Sequence, residues 1–452
     1  MFKKIIFAIL LVINALNVNA QLIDANYKQN QPNENSLLSR YGIGNLNPQY
    51  FASNSGMGGM TAAFRDKFHF NPFNPASIPS LRTTAYEVGL FAKNTTIESG
   101  GSNSSSWSGN LNNIALGFPT YSVINEVLDR KPRATRWGMG ISLMPYSTVG
   151  YNINTISKAQ NANDSSNLTN FFVGSGGTYR AMLGNGVSYK GLSVGVNVGY
   201  VFGKISSIRQ SILEDKLIIS YANYFDDNFS LRGLSWNAGL QYDIILDPKK
   251  SPTDKGDRKH IVIGLYGNPS TSFTTKLNRN YNRVFSGVAD SITSFTDKSG
   301  SGTLPSEYTA GVMYENGLLF KAGIEYKATQ WSQYKNEAKP EALKNANQFS
   351  AGVEFILDKN KLKSEEEKIR FRAGFHTGSD PRSLGGEQVK NTAGTFGICF
   401  PLRVGRGQQM SYMNLGLEYG QQKTVIVSEN YFRINLGFTL NDNTWFLKKK
   451  FQ

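Results

Sequence analysis

From Tyr86 onward apolar and polar side chains alternate with period two, and the alternation persists almost to the end of the chain. Tyr86, Val88, Leu90 and Ala92 stand against Glu87, Gly89, Phe91 and Lys93; Trp137, Met139, Ile141 and Leu143 stand against Gly138, Gly140 and Ser142. The cleanest runs are Leu192, Val194, Val196, Val198, Tyr200, Phe202 and Leu234, Trp236, Ala238, Leu240, Tyr242, Ile244. Phe432, Ile434, Leu436, Phe438 and Leu440 close the series. A period of two belongs to β-strands with one apolar and one polar face. The pattern predicts fourteen strands, over 86–97, 110–119, 134–158, 176–190, 191–211, 230–246, 259–275, 306–315, 317–330, 347–358, 367–377, 394–404, 411–420 and 429–440. Residues 215–225 are placed in a loop, and sixteen is the competing count.

A short signature recurs within these strands: A-G-L-Q-Y at 238–242, A-G-V-M-Y at 310–314, A-G-I-E-Y at 322–326, A-G-V-E-F at 351–355 and L-G-L-E-Y at 415–419. Its glycine falls on the polar face and its aromatic on the apolar face. Inward glycines leave room where strands curve or another segment comes close. Outward aromatics suit the girdles at a membrane interface. A soluble sandwich also alternates, but it turns its apolar face to a second sheet. So many long strands predict an all-β fold, a transmembrane antiparallel β-barrel, in which every backbone group is satisfied between neighbours. Short turns (315–317, 359–368, 403–409) alternate with longer connections (98–109, 159–175, 212–229, 276–305, 331–346, 378–393). Long connections belong outside the cell, which puts both termini in the periplasm. The turn 247–258 is longer than that parity expects, and 335–346 is read as room for a short surface helix.

Before the strands lie two segments of another character. Residues 1–20 read as a secretory signal peptide: Lys3 and Lys4, the apolar run Ile5 to Leu16, and the cleavage site Val18-Asn19-Ala20. Residues 21–80 form a polar leader followed by the stretch Gly56 to Ser77. There Gly56, Gly58, Gly59 and Ala62 permit close backbone approach. The steps Asn71-Pro72 and Asn74-Pro75 hold the chain extended or in turns. Phe64, Phe68, Phe70 and Phe73 supply apolar surface that must pack. This is the composition of a plug inside whatever 81–452 encloses.

Met57-Gly58-Gly59 followed by Asn74-Pro75-Ala76, all ahead of the first strand, resembles the N-terminal hatch of the FadL family of outer-membrane channels. Ser39-Arg40-Tyr41-Gly42-Ile43-Gly44 resembles the leader of a divergent branch of that family. The resemblance implies a fourteen-stranded barrel in a Gram-negative outer membrane, closed by a hatch whose movement passes long-chain, fatty-acid-like hydrophobic molecules. It implies a second role as well, since members of the superfamily serve as non-transporting subunits of secretion or assembly complexes. By resemblance Met57, Gly58, Gly59, Asn74, Pro75 and Ala76 hold the hatch. The four phenylalanines pack it against the wall or line an apolar ligand pocket. The last strand, with Trp445, Phe446 and Phe451 after it, resembles an outer-membrane assembly signal, from which Lys448-Lys449-Lys450 departs.

Composition narrows the chemistry. The chain has 452 residues, a net charge of +15, one cysteine (Cys399) and three histidines, His69, His260 and His376. One cysteine excludes an intramolecular disulfide, and no basic helix or zinc pattern supports a nucleic-acid partner. Anionic membrane lipid is the expected neighbour of the basic surface, with a hydrophobic ligand and other envelope proteins as the remaining partners. No cofactor or metal is expected. Inward charges include Asp243, Lys321, Glu325, Glu354, Arg370, Arg372, Glu418 and Arg433, which either pair with one another or line a hydrated passage. Catalysis finds no G-x-S-x-G, H-E-x-x-H or Cys/His pairing. A barrel hydrolase would need a serine within reach of His376.

Overall fold

The computed structural model describes residues 36–99, 101–128, 133–158, 167–214, 221–247, 259–285, 288–317, 319–357, 364–403 and 410–445. The expected signal peptide and leader residues 21–35 lie outside the described residues, as does the tail beyond Trp445.

Among the described residues, fourteen antiparallel strands form one closed barrel. They are β1 (Thr84–Ser99), β2 (Ser102–Pro119), β3 (Thr135–Lys158), β4 (Asn167–Tyr189), β5 (Leu192–Glu214), β6 (Tyr221–Ile245), β7 (Lys259–Asn268 and Thr271–Phe285), β8 (Val288–Leu304 and Glu307–Asn316), β9 (Phe320–Thr329), β10 (Ala346–Ile356), β11 (Arg370–Leu384), β12 (Glu387–Arg403), β13 (Met410–Lys423) and β14 (Val427–Asp442). Closure is made by β14 against β1, in register from Val427↔Ser99 to Asp442↔Thr84. β7 and β8 are each broken once, at Pro269-Ser270 and Pro305-Ser306. The two breaks face each other, because Asn268 pairs with Glu307 and Leu304 with Thr271. Proline has no N–H for the ladder, so a paired break at one level costs least.

The outward faces carry the apolar belt. On β5 the residues from Leu192 to Phe202 alternate apolar-out over eleven positions, which is the length a tilted strand needs to cross a bilayer. The strand then runs on through Lys204, Ser206 and Gln210 to Glu214. At a rise of about 3.3 Å per residue and the usual barrel tilt, this extension stands roughly 30 Å above the belt. β3, β4, β6, β7 and β8 extend likewise, whereas β9 has only 10 residues and β10 only 11. The wall is therefore tall on one side and low on the other.

The described parts of the connections 98–109, 159–175, 212–229, 276–305 and 378–393, read as long loops, are largely strand in the structure, and so is 221–225, whereas 159–166 and 215–220 lie outside the described residues. Their polarity on both faces reflects water on both sides above the belt, which erases the alternation that marks a strand in a membrane. The connection 331–346 is irregular, as expected, but holds no surface helix. Lys335–Asn336 pairs with Thr303 and Gly302, and Trp331 and Tyr334 are buried against Phe273 and Leu304. A short helix, Val123–Leu128, lies in a turn at the end of the barrel where β1 begins.

One ladder is incomplete. β2 and β3 pair only from Ile114↔Leu143 to Pro119↔Gly138, while β3 and β4 pair along their whole length. Above Leu143 the edge of β3 is taken by the N-terminal segment instead. Asn45 and Leu46 pair with Thr148 and Ser147, Asn47 N–H donates to the Tyr146 carbonyl (3.1 Å) and Ser36 N–H to the Gly150 carbonyl (2.9 Å).

Candidate functional site: the filled lumen

Residues 36–83 lie inside the barrel, packed against the glycines that alternate on its inner face. A Cβ on Gly264 would stand on the Ala62 carbonyl, one on Gly195 on Pro75, and one on Gly352 on the Met57 carbonyl. Gly56 meets Gly397 backbone to backbone. Gly58 turns with φ +68°, and any Cβ there would lie 2.8 Å from the carbonyl oxygens of Ala351 and Phe375. Its N–H donates to Thr395 Oγ1 at 2.9 Å. Gly59 follows with φ +72°.

The two Asn-Pro steps are turn-makers held by their own side chains. Asn71 donates to the carbonyls of Thr61 (2.8 Å) and Phe64 (3.0 Å) and accepts from Phe73 N–H. Asn74 donates to the Ala62 carbonyl (2.6 Å) and accepts from Ala76 N–H, capping the short 3₁₀ helix Pro75–Ser80. Asparagine is favoured at such positions because its amide mimics the backbone two residues on.

The four phenylalanines do not share a pocket. Phe64 and Phe73 join Phe51, Met57, Met60, Met144, Met182 and Met313 in one cluster, with Phe64 edge-on to Phe51 at 5.6 Å. Phe70 packs with Ile78 and Leu81, and Phe68 with Cys399 and Tyr412. Each fixes a different part of the segment to the wall.

Polar contacts reach the segment from every side. From β5 and β6, Asn197 donates to the Pro72 carbonyl (2.9 Å), Asn237 to Phe73 (3.0 Å) and Gln241 to Ala62 (2.8 Å). From β9, Glu325 accepts the N–H groups of Thr61 (2.7 Å) and Ala62 (2.5 Å). At the closing seam, His69 Nδ1 lies 3.0 Å from Thr439 Oγ1, and Phe70 N–H donates to Glu87 at 3.0 Å. Glu429 accepts from Ser36 Oγ (2.8 Å) and from Leu38 N–H. At the low side of the wall Glu341 accepts from Gly42 N–H, and Lys339 donates to the carbonyls of Arg40 and Gly42.

The expected lumen charges divide into two groups. Arg370, Arg372 and Glu354 form one buried network with Asp66 of the segment: Asp66 lies 3.1 Å from Arg370 and 3.6 Å from Lys321, and Glu354 lies 2.6 Å from Arg372. Burial alone would raise the Asp66 carboxyl, but Lys321 and Arg370 hold it well below the usual carboxylate range. Arg65 pairs with Asp243 at 2.9 Å. Glu418 and Arg433 belong elsewhere. Glu418 accepts from Tyr50 and Tyr431, and Arg433 donates to Asn435 and Asn112 while lying 3.9 Å over Phe91. These two border a cavity of about 170 Å³ above the segment, whose other ionisable walls are Lys93, Glu307, Glu325, Lys327, His376 and Asp380. His376 faces Ser350 in register, and its Nε2 lies 3.8 Å from Glu418.

Sequence reasoning missed Asp66, Glu87, Glu429 and the amides Asn197, Asn237 and Gln241. The amides did carry a signal, since each interrupts a run of small residues on an otherwise apolar strand's polar face. His69 also lies against Cys399, a pairing that sequence distance hides.

A closed fourteen-stranded barrel with a belt of outward apolar residues and a filled lumen has the fold of a transmembrane β-barrel, and several solved channels share that fold. The Pseudomonas putida toluene transporter TodX is 16% identical with TM-score 0.52, covering 89% of this chain and 100% of its own. The Ralstonia pickettii toluene transporter TbuX is 15% identical with TM-score 0.52 (88% and 99%), and a Pseudomonas aeruginosa FadL homologue is 11% identical with TM-score 0.52 (88% and 99%). No match was found among curated proteins. The profile of the BamG family matches residues 1–452, and the chain belongs to that family.

Proposed function

We propose that this chain is an outer-membrane barrel that works through protein contacts, as a non-transporting subunit of a larger envelope assembly, with both termini in the periplasm and no catalytic step. The observation that carries this reading is the seating of residues 36–83, which is anchored to strands on every side of the lumen. Withdrawal would break the Asp66–Arg370 pair and strip Glu325 of its two amide donors. Each of these buried contacts weighs against an open state, which must offer the same groups water or new partners. The cavity above the segment mixes ionisable side chains with aromatic ones such as Phe91, Tyr146, Tyr266 and Trp331, whereas sites for hydrophobic ligands are mostly apolar with few polar groups.

The other reading is passive passage of hydrophobic molecules, fatty-acid-like or aromatic, with 36–83 as a moving hatch. It is favoured by the short β2–β3 ladder, which stops at Leu143 and leaves the β3 edge above it to residues 36–47 rather than to a strand of the wall.

Native mass spectrometry of protein gently extracted from its own membrane separates the two. The subunit reading expects a stable assembly with other envelope proteins and no small ligand; a monomer carrying lipid or fatty acid would favour the channel. A Ser55→Cys/Gly416→Cys pair, at positions where a Cβ on Gly416 of β13 would stand 3.2 Å from the Ser55 Cβ of the segment, adds a functional check in a Cys399→Ser background. Locking the segment leaves a subunit intact and abolishes uptake by a channel.

A further inference from the structure

The tall side of the wall carries an unused surface. Phe172 on β4, Arg209 on β5, Phe225 on β6 and Tyr281 on β7 are register partners, side by side across four strands. The alternation that turns Phe229 and Leu231 into the buried core turns Phe225 and Asp227 to the same inner face. Arg209 lies 4.4 Å over the Phe225 ring, and Phe225 meets Tyr281 edge-on at 4.9 Å. Arg40 of the N-terminal segment stacks on Phe172 at 4.0 Å. One row nearer the membrane, Arg279 grips Asp227 with two nitrogens (2.6 and 3.2 Å), and Tyr281 donates to the same carboxylate at 2.8 Å. Cation and ring thus alternate across the sheet, held in place before anything binds.

Among the described residues this face is covered at its foot, where Ile43, Trp331 and Tyr334 pack with Phe273 and Leu304, and at Phe172 by Arg40. Higher up, Phe172, Phe225, Tyr281 and Phe295 are only half-buried and Arg209 is exposed. The wall there is a half-cylinder with two free edges. Tyr151 to Lys158 of β3, and Val288 to Gly300 of β8, have no strand beside them on one side among the described residues. A barrel normally removes its edges, and the tall wall of this one leaves both of its own standing in water. The β8 edge is kinked by register shifts at Ser291/Thr293 and Phe295/Lys298 and by Asp297 at φ +53°, which spoil it as a template for another strand. The face, rather than the edges, is what remains for docking.

We propose that the inner face of the tall wall is the docking site for a second protein, one presenting an acidic surface, outside the membrane. This rests on the subunit reading above and names where the partner sits. Arg209 and Arg40 carry no ion pair among the described residues, so the carboxylates that complement them come from the partner. Tyrosine and arginine dominate interface hot spots. Side chains already fixed by Asp227 lose little freedom on binding.

The test places a photo-crosslinking phenylalanine analogue at Phe225 in the full-length protein in intact cells, alongside an Arg209→Glu variant. The barrel's heat-dependent gel mobility reports folding. Expected is a co-purifying protein that crosslinks from Phe225, with its recovery cut about tenfold by Arg209→Glu and retained by Arg209→Lys, as a charge-complementary contact requires. An unchanged recovery with folded Arg209→Glu, or a crosslink to lipopolysaccharide alone, overturns this surface while leaving the subunit reading standing. A wild-type protein that extracts without any partner overturns both.

Discussion

Arg370 and Gly264 set the seating of the lumen in opposite ways, one by charge and one by absence of a side chain. Arg370→Met leaves Asp66 buried beside a lone lysine, at a cost of about 3–5 kcal/mol. The expected outcome is faster hydrogen exchange across residues 61–70, partly reversed in the Asp66→Asn/Arg370→Met double variant. Gly264→Val drives a Cβ into the Ala62 carbonyl and is expected to lower the unfolding temperature by the equivalent of about 1–3 kcal/mol. Gly394→Ala is the control, because nothing stands within 4 Å of the position, and it is expected to leave the melting point where it is. Asp66 also fixes a pH response. A carboxyl with a depressed folded pKa contributes stability above its ordinary pKa of about 4 and loses it only as pH falls through the lower folded value. Protection of the Phe68 and His69 amides, which donate to Asp66, corrected for intrinsic exchange, is therefore expected to hold from pH 7 down to about 4 and to fall only below that.

At the level of elements, the N-terminal segment acts as a fifteenth strand for a few residues. Deleting 36–47 is expected to expose the amides of β3 near Thr148 and Gly150 to rapid exchange while the β3–β4 ladder stays protected. All fourteen strands were legible in the sequence, because within the membrane one face must be apolar and the other tolerates Asn197, Gly264 or Arg370. Their true lengths were not legible. Above the belt, residues such as Asn278, Asn280 and Asn282 on β7 meet water on both sides, and no period survives to mark them as strand. The lumen charges Arg370, Arg372 and Glu354 could be read as inward from alternation alone. Their partner Asp66 could not, since no periodic element carries it, and the distribution of Phe64, Phe68 and Phe70 into three clusters depends on contacts made by strands hundreds of residues away.

The whole molecule is lopsided. β9 and β10 stop at the belt while β3 to β8 rise well beyond it, so a partner approaching from the low side meets an open half-cylinder. The same asymmetry explains why Trp331, Tyr334, Asn336 and Ala338 of the connection 331–345 are buried: it folds across the low side and holds Gly42 and Arg40 from there.

The seam gives this architecture a direction in time. Thr439 on the final strand and Glu87 on the first both grip the His69–Phe70 step, so the end of the chain contacts its beginning through the segment between them. A ring that has already shut, with glycines lying flush against the segment all round, leaves no route by which forty-odd folded residues could enter. Chain order is therefore the expected assembly order: residues 36–83 seat while the strands gather, and the β14–β1 seam shuts last, around its filling.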